Sequence, residues 1–327
     1  MDNQPITAQS LGNHYNIDGS TLEKQYKEHL SDYCNWEQKE HADQWILFPD
    51  NIGPMLSIDE TSLSNGELYT ILTNKAAKGK KGALVAMVKG TKAEDVIKIL
   101  KNIPFKFRQK VTEVTMDMAN SMNKIVKRCF PNAVKVIDRF HVQKLAYQAL
   151  QDIRIKHRWE AINAETDAIQ NARADKREYK PITLKNGDTL KELLFRSRYL
   201  LFKSPDKWSD SQKERAIILF DFYPDIKKAY WLIHKLRVIY NSTKEKGVAY
   251  TKLAHWFNEV TDFKKFEFDT VTGTLYSHYP EVLNFFDNRS TNASAEAFNA
   301  KIKAFRAQLR GVADVKFFLY RLSKIYA

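Results

Sequence analysis

Two cysteines in 327 residues, Cys34 and Cys129, give no material for a disulfide framework or a cysteine-built zinc site, since neither belongs to a CxxC pair. Long apolar runs are missing too: none approaches the roughly 18 residues that a membrane-spanning helix needs. The polar start MDNQPITAQS lacks the charged and apolar regions of a signal peptide. No membrane association and, by default, a cytoplasmic location are expected. Acids are in short supply. The 39 Asp and Glu stand against 52 Lys and Arg, a net charge of +13, which attracts polyanions through phosphate neutralisation and counterion release. Nucleic acid is the natural partner of such a chain, although a generally basic cytosolic protein has the same balance. What is plentiful is core material: 43% hydrophobic and 12% aromatic residues suffice for two domains or for one interrupted by an insertion.

The chain is organised around Met55-Leu56-Ser57-Ile58-Asp59-Glu60-Thr61. An apolar run that ends in an acid reads as a buried strand delivering a carboxylate to its edge. Before it, residues 1–52 form a short helical region. Ile6, Leu11 and Tyr15 make one apolar face and Leu22, Tyr26 and Leu30 the next, around the turn Asn16-Ile17-Asp18-Gly19. Ser20 followed by Glu23 has the spacing of a capping box for the second helix. This hairpin is either a helix-turn-helix that reads DNA or a plain packing unit. Residues 36 to 52 read as a connection into the core.

Residues 53–143 alternate in the manner of an α/β unit. Strands are predicted over 55–61, 68–74 and 83–88, the last two separated by the basic turn KAAKGKKG; helix 93–102, strand 111–118, helix 122–129 and strand 133–137 follow. Two later strands end in acids, VTEVTMD in Asp117 and AVKVID in Asp138. Three strands, helix, strand, helix, strand, with acids ending the first and fourth strands, is the order of a ribonuclease H-like fold with a mixed five-stranded sheet. Neighbouring strands deliver residues to the same edge, so Asp59 and Asp117 are expected side by side. Two adjacent carboxylates need either a shared proton or a hard cation, and oxygen-only ligands favour Mg²⁺ or Mn²⁺.

Residues 144–285 return to helical character, basic and punctuated by Trp159, Trp208, Trp231 and Trp256. They read as a helical insertion whose tryptophans fill its core, with stacking on an extruded base as the other reading. Residues 286–327 supply closing helices. There Glu296, Asn299 and Lys303 recur about one turn apart on one face, while Phe298, Ile302 and Phe305 form another. From Ala297 onward seven Lys or Arg, including Arg306, Arg310 and Arg321, face a single acid, Asp314. They form either a track for a phosphate backbone or a solvated surface.

The segments IDET, MDMANSM, FPNAVKVIDRFHV, RSRYLLFKSPDKW and STNASAEAFNAKIKAFR follow one another in this order. Together they resemble the DDE transposases of bacterial insertion sequences, more narrowly the ISL-three type, from about Asp59 to Arg321. The resemblance implies a ribonuclease H-like catalytic domain with a helical insertion before the final acid. It matches Asp59, Asp117 and Glu296 to the three catalytic, metal-holding acids, with Mg²⁺ as cofactor and Mn²⁺ as substitute. Asp138 competes for the second-acid role. His141 orients a carboxylate, contacts the scissile phosphate or caps the next helix, and Arg139, Asn299 and Lys303 are candidates for holding DNA phosphates, beside Arg306 and Arg310. The implied partners are double-stranded DNA, as transposon ends and target, and further copies of the chain assembled on it. Many relatives of this type carry a cysteine-rich zinc-binding segment that two cysteines cannot supply, so end recognition falls to the helical hairpin or to a separate protein. The competing readings are a non-mobile nuclease of the same fold and a catalytically silent DNA-binding relative. Joined products distinguish the first from a transposase, and binding without cutting distinguishes the second.

Overall fold

The computed structural model describes residues 1–63 and 66–327. Two short helices come first. Thr7 caps α1 (Ala8–Tyr15) by accepting from the Ser10 amide, and Asp18 caps α2 (Gly19–Gln25) by accepting from the Thr21 amide. The cap expected at Ser20 therefore lies two residues earlier, where a carboxylate meets the free amides of the first turn. Asn16 ends α1 in the left-handed conformation, φ 56. The helices approach so closely that a Cβ on Gly12 would stand 2.5 Å from the Ile17 carbonyl oxygen. Backbone cannot yield there, which explains why this position is glycine.

The next elements are β1 (Trp45–Leu47), β2 (Met55–Ser62), β3 (Leu68–Asn74), β4 (Leu84–Lys89), α3 (Ala93–Leu100), α4 (Phe105–Arg108), β5 (Glu113–Met116), α5 (Asn120–Cys129) and β6 (Val134–Ile137). Among the described residues they form one sheet of order β1-β4-β3-β2-β5-β6. Strands β2, β3 and β4 make an antiparallel meander, and β5 and β6 lie parallel to β2. This is the ribonuclease H-like sheet, with six strands where five were expected. The sixth is β1, in the stretch read as a connection: Ile46 lies opposite Met87 and is fully buried. Three residues are too few for a two-residue period to register, so pairing with β4 alone makes this strand.

The chain divides into two compact units, Met1–Asp138 with Asn288–Ala327, and Arg139–Asp287. The second is helical: α6 (Arg139–Ala174), α7 (Leu190–Arg196), α8 (Asp210–Phe222), α9 (Pro224–Ser242), α10 (Lys246–Thr261), α11 (Phe266–Ser277) and α12 (Tyr279–Asn288). Trp256 is buried at its centre, its indole N–H donating to the Leu232 carbonyl at 2.8 Å. Trp159 and Trp231 depart from the expected core placement, being 57% and 45% exposed. Within this unit Asp188 is buried. Burial pushes its carboxyl up, but Arg215 and Arg196 outweigh that and hold it below the usual carboxylate value.

The returning segment completes the first unit with α13 (Ala293–Gln308) and α14 (Val315–Tyr326). Phe298, Ile302 and Phe305 from α13 and Phe318, Leu319 and Leu322 from α14 pack on the sheet face that carries Tyr69, Ile71 and Met87. Burial of each such side chain contributes about 1.5–3 kcal/mol, so this face fixes the position of α13. Arg321, counted in the sequence among the basic residues of this end, is buried instead. It donates to the carbonyls of Met1, Gln4 and Ile6 and lies between the Tyr26 and Phe305 rings. Three backbone acceptors on one terminal nitrogen and two aromatic faces offset the cost of burying its charge, while its Nε is left without a hydrogen-bond partner, and the contacts tie the N-terminal residues to α14. Cys34 is exposed and Cys129 buried, both as free thiols, and burial pushes the Cys129 thiol up to about 11, where it is unreactive. Among the described residues no helix is long and apolar enough to cross a membrane.

Candidate active site

Strands β2 and β5 pair with Met55 opposite Glu113 and Ser57 opposite Thr115. Continued by two residues, that register sets Asp59 level with Asp117, where β5 ends. Strands β5 and β6 pair with Met116 opposite Ile137, which brings Asp138 level with Asp117 in turn. Because side chains alternate along a strand, Asp59, Asp117 and Asp138 share one face, the same face that receives α13. Three neighbouring parallel strands thus each deliver a carboxylate to one edge of the sheet, where open α/β sheets form their sites.

Each acid is oriented by its own partners. The Asp59 Oδ1 accepts from the Glu60 amide at 2.8 Å and Oδ2 from the Asn299 side chain at 2.8 Å. The Asp117 Oδ1 accepts from the Ala119 amide at 2.9 Å, in the turn that starts α5. Both aspartates are half-buried. Asp138 is 2% exposed, and its Oδ2 accepts the Asn292 amide at 3.0 Å. It therefore stands at the N-terminus of α13, where the helix dipole favours negative charge. Glu296 lies on the first turn of α13, exposed, its carboxylate within 4.8 Å of that of Asp138. Among the described residues Asp59, Asp117 and Glu296 do not all share that spacing. The concentration of negative charge is felt at Glu60, whose carboxyl is pushed above its usual value first by burial, then by Asp117 and Asp59.

Asn299 is buried, not on a phosphate-facing surface. Its Nδ2 donates to Asp59 and, at 3.5 Å, to the Glu60 carbonyl, while its Oδ1 is buried without a hydrogen-bond partner. Lys303 and Arg310 are exposed, and Arg306 donates to the Ser62 carbonyl at 3.5 Å. Arg139 and His141 belong to the helical unit. Arg139 donates to Asn241 at 2.8 Å, and the His141 Nε2 is buried without a partner.

Beneath the acids lies a polar cluster that sequence reasoning missed. The Lys75 ammonium stands 3.2 Å from Glu113 Oε1 and donates to Thr115 Oγ1 at 2.8 Å, and Asn288 donates to Glu113 Oε2 at 3.3 Å. Lys75 follows β3, Glu113 and Thr115 are on β5, and Asn288 begins the returning segment, so the cluster joins three parts of the acid-bearing face. One signal was available: Glu113, Thr115 and Asp117 are two residues apart, hence on one face, and an acid inside an otherwise apolar strand requires a buried cation.

Sheet topology and strand-end carboxylates define a ribonuclease H-like α/β protein with an acidic edge. Its sequence carries the relationship further: a family model for DDE transposases of the ISL-three type, described as "Transposase", matches residues 56–322, and the chain belongs to that family. No curated protein matches it in sequence. Among solved structures, a Drosophila P element transposase strand transfer complex is similar with a TM-score of 0.39 and 11% identity, over 98% of this chain and 91% of that one.

Proposed function

We propose that this chain cuts and joins DNA strands during transposition of an insertion sequence, with a divalent metal as cofactor. The observation that carries the reading is the alignment of Asp59 with Asp117 on adjacent parallel strands, facing the helix that brings Glu296. The donor set fits a hard cation: Asp59, Asp117 and Glu296 each offer carboxylate oxygen, and the Asn299 amide oxygen beside Asp59 has no protein partner. Asp59, Asp117 and Glu296 would hold Mg²⁺, with Mn²⁺ as substitute, and the metal would supply activation of the attacking oxygen and stabilisation of the leaving oxygen. Asn299 fixes the Asp59 carboxylate and the Ala119 amide fixes that of Asp117, so neither must reorient as substrate arrives. Asp138, buried and engaged by the Asn292 amide, positions the start of α13 and thereby Glu296. Lys303, Arg306 and Arg310, beyond Glu296 on α13 and its C-terminal end, hold DNA phosphates, as does Arg139 in the helical unit. Water attacks phosphorus in cleavage, breaking the bond to the 3′ oxygen, and in joining the freed 3′ hydroxyl attacks the phosphorus of a second phosphodiester and displaces that strand's own 3′ oxygen, which leaves as a hydroxyl. Copies of the chain assemble on the paired ends.

The test is excision and joining in cells from a plasmid carrying this gene with its native flanks, read by amplification across the junctions. Junctions are expected with the unaltered chain and not with Asp117→Asn. Cut but unjoined ends would favour a nuclease, and DNA binding without either product a silent relative. Asn299→Ala is expected to lower cleavage by about 10- to 100-fold and to raise the Mg²⁺ concentration needed, the usual cost of losing a partner that orients a ligand. Unchanged rate and metal dependence would remove Asn299 from the positioning role.

A further inference from the structure

The basic turn between β3 and β4 is not used by the site above, yet it is firmly built. Lys78 and Gly79 take left-handed backbone conformations, φ 51 and φ 69, and the Lys78, Lys80 and Ala83 amides close successive turns on the carbonyls of Lys75, Ala77 and Lys80. From α13 the Lys301 ammonium donates to the Gly79 carbonyl at 2.6 Å. This fixes the turn against the helix that carries Glu296. Between turn, α13 and α14 runs a groove of about 540 Å³ whose walls include Lys80, Lys81, Lys301, Gln308 and Tyr326. Neighbouring cations are already neutralised: Lys75 by Glu113, Lys316 by Asp43 and Lys324 by Asp32. Lys78, Lys80 and Lys81 are exposed, and among the described residues none of them has a carboxylate at ion-pair distance.

A fixed turn presenting three unneutralised ammonium groups beside a groove offers point charges to a chain of phosphates. Its place relative to the acids follows from α13. Lys301 lies five residues beyond Glu296 and Gln308 twelve, about 7.5 and 18 Å along the axis at 1.5 Å per residue. Duplex DNA rises about 3.4 Å per base pair. We infer that the β3–β4 turn and the α13–α14 groove form a phosphate cradle that grips the DNA backbone about two to five base pairs from the bond being cut, irrespective of sequence. The inference rests on the DNA-processing reading above.

The experiment is equilibrium binding of the full chain to a fluorescent duplex across a salt series. Wild type is compared with Lys78→Gln/Lys80→Gln/Lys81→Gln and with a control of equal charge loss elsewhere, Lys106→Gln/Lys110→Gln/Lys127→Gln. Each lost phosphate contact removes about 0.9 from the slope of log affinity against log salt, so the turn triple is expected to flatten it by about 2.7 while the control leaves it unchanged. Ethylation of phosphates two to five base pairs from the cut should weaken wild-type binding and leave the turn triple indifferent. Equal slopes for wild type and turn triple, or equal flattening by both triples, would overturn the cradle while leaving DNA processing intact. A wild type that binds no duplex would overturn both.

Discussion

Asp59→Asn, Asp117→Asn and Glu296→Gln are each expected to lower strand cleavage by about 10³-fold or more while duplex affinity stays within about threefold. The substitutions keep side-chain volume and remove one negative charge. Asp59→Asn and Asp117→Asn retain an oxygen that can accept from Asn299 or Ala119, so folding is preserved and the loss falls on chemistry. Asp138→Asn is the decisive comparison. Its carboxylate is buried and committed to the Asn292 amide, so its replacement should cost stability near α13 more than it costs cleavage. The measurement is single-turnover cutting of a duplex with saturating Mg²⁺, with melting temperature measured on the same samples. Normal cutting by Asp117→Asn together with none by a folded Asp138→Asn would exchange their roles.

Lys75→Met is expected to destabilise the protein by about 3–5 kcal/mol, because it leaves the Glu113 carboxylate buried without its cation. The side chains are 13% and 5% exposed, so water cannot take the place of the lost partner. Lys75→Met/Glu113→Leu should recover most of the loss, since both charges leave together and only the bond from Lys75 to Thr115 and the bond from Asn288 to Glu113 are lost. Urea denaturation of the two variants and of Glu113→Leu alone completes the cycle. Additive losses in the double variant would mean that the pair is not coupled, and that the returning segment is held at Asn288 by something else.

The sheet was legible where strands carry their own punctuation. β3 begins and ends where predicted because turn residues flank an apolar run, and β2, expected over 55–61, runs on to Ser62, two residues beyond its acids. β1 was not, since Trp45–Leu47 is a strand only because β4 offers an edge. The strand-end aspartates could be read from sequence, as could the helix that supplies Glu296. The partner of Asn299 could not: helical spacing puts Asn299 near Glu296, but packing of Phe298, Ile302 and Phe305 on the sheet decides that it points at Asp59. Lysine and arginine counts misled for the same reason. Arg321 has the composition of a phosphate contact and the surroundings of a core residue.

The path of the chain through the acid-bearing face bears on timing. The backbone leaves the core at Asp138 and returns to that same carboxylate through the Asn292 amide, after the whole helical unit has been made. During synthesis at about 5–20 residues per second, roughly 180 residues separate Asp117 from Glu296, a delay of about 9–36 s. In the assignment proposed here a growing chain carries two of its three acids throughout that interval. On that assignment the growing chain would stay inert towards DNA until Glu296 arrives, and a product of premature termination within the helical unit would be inert for the same reason.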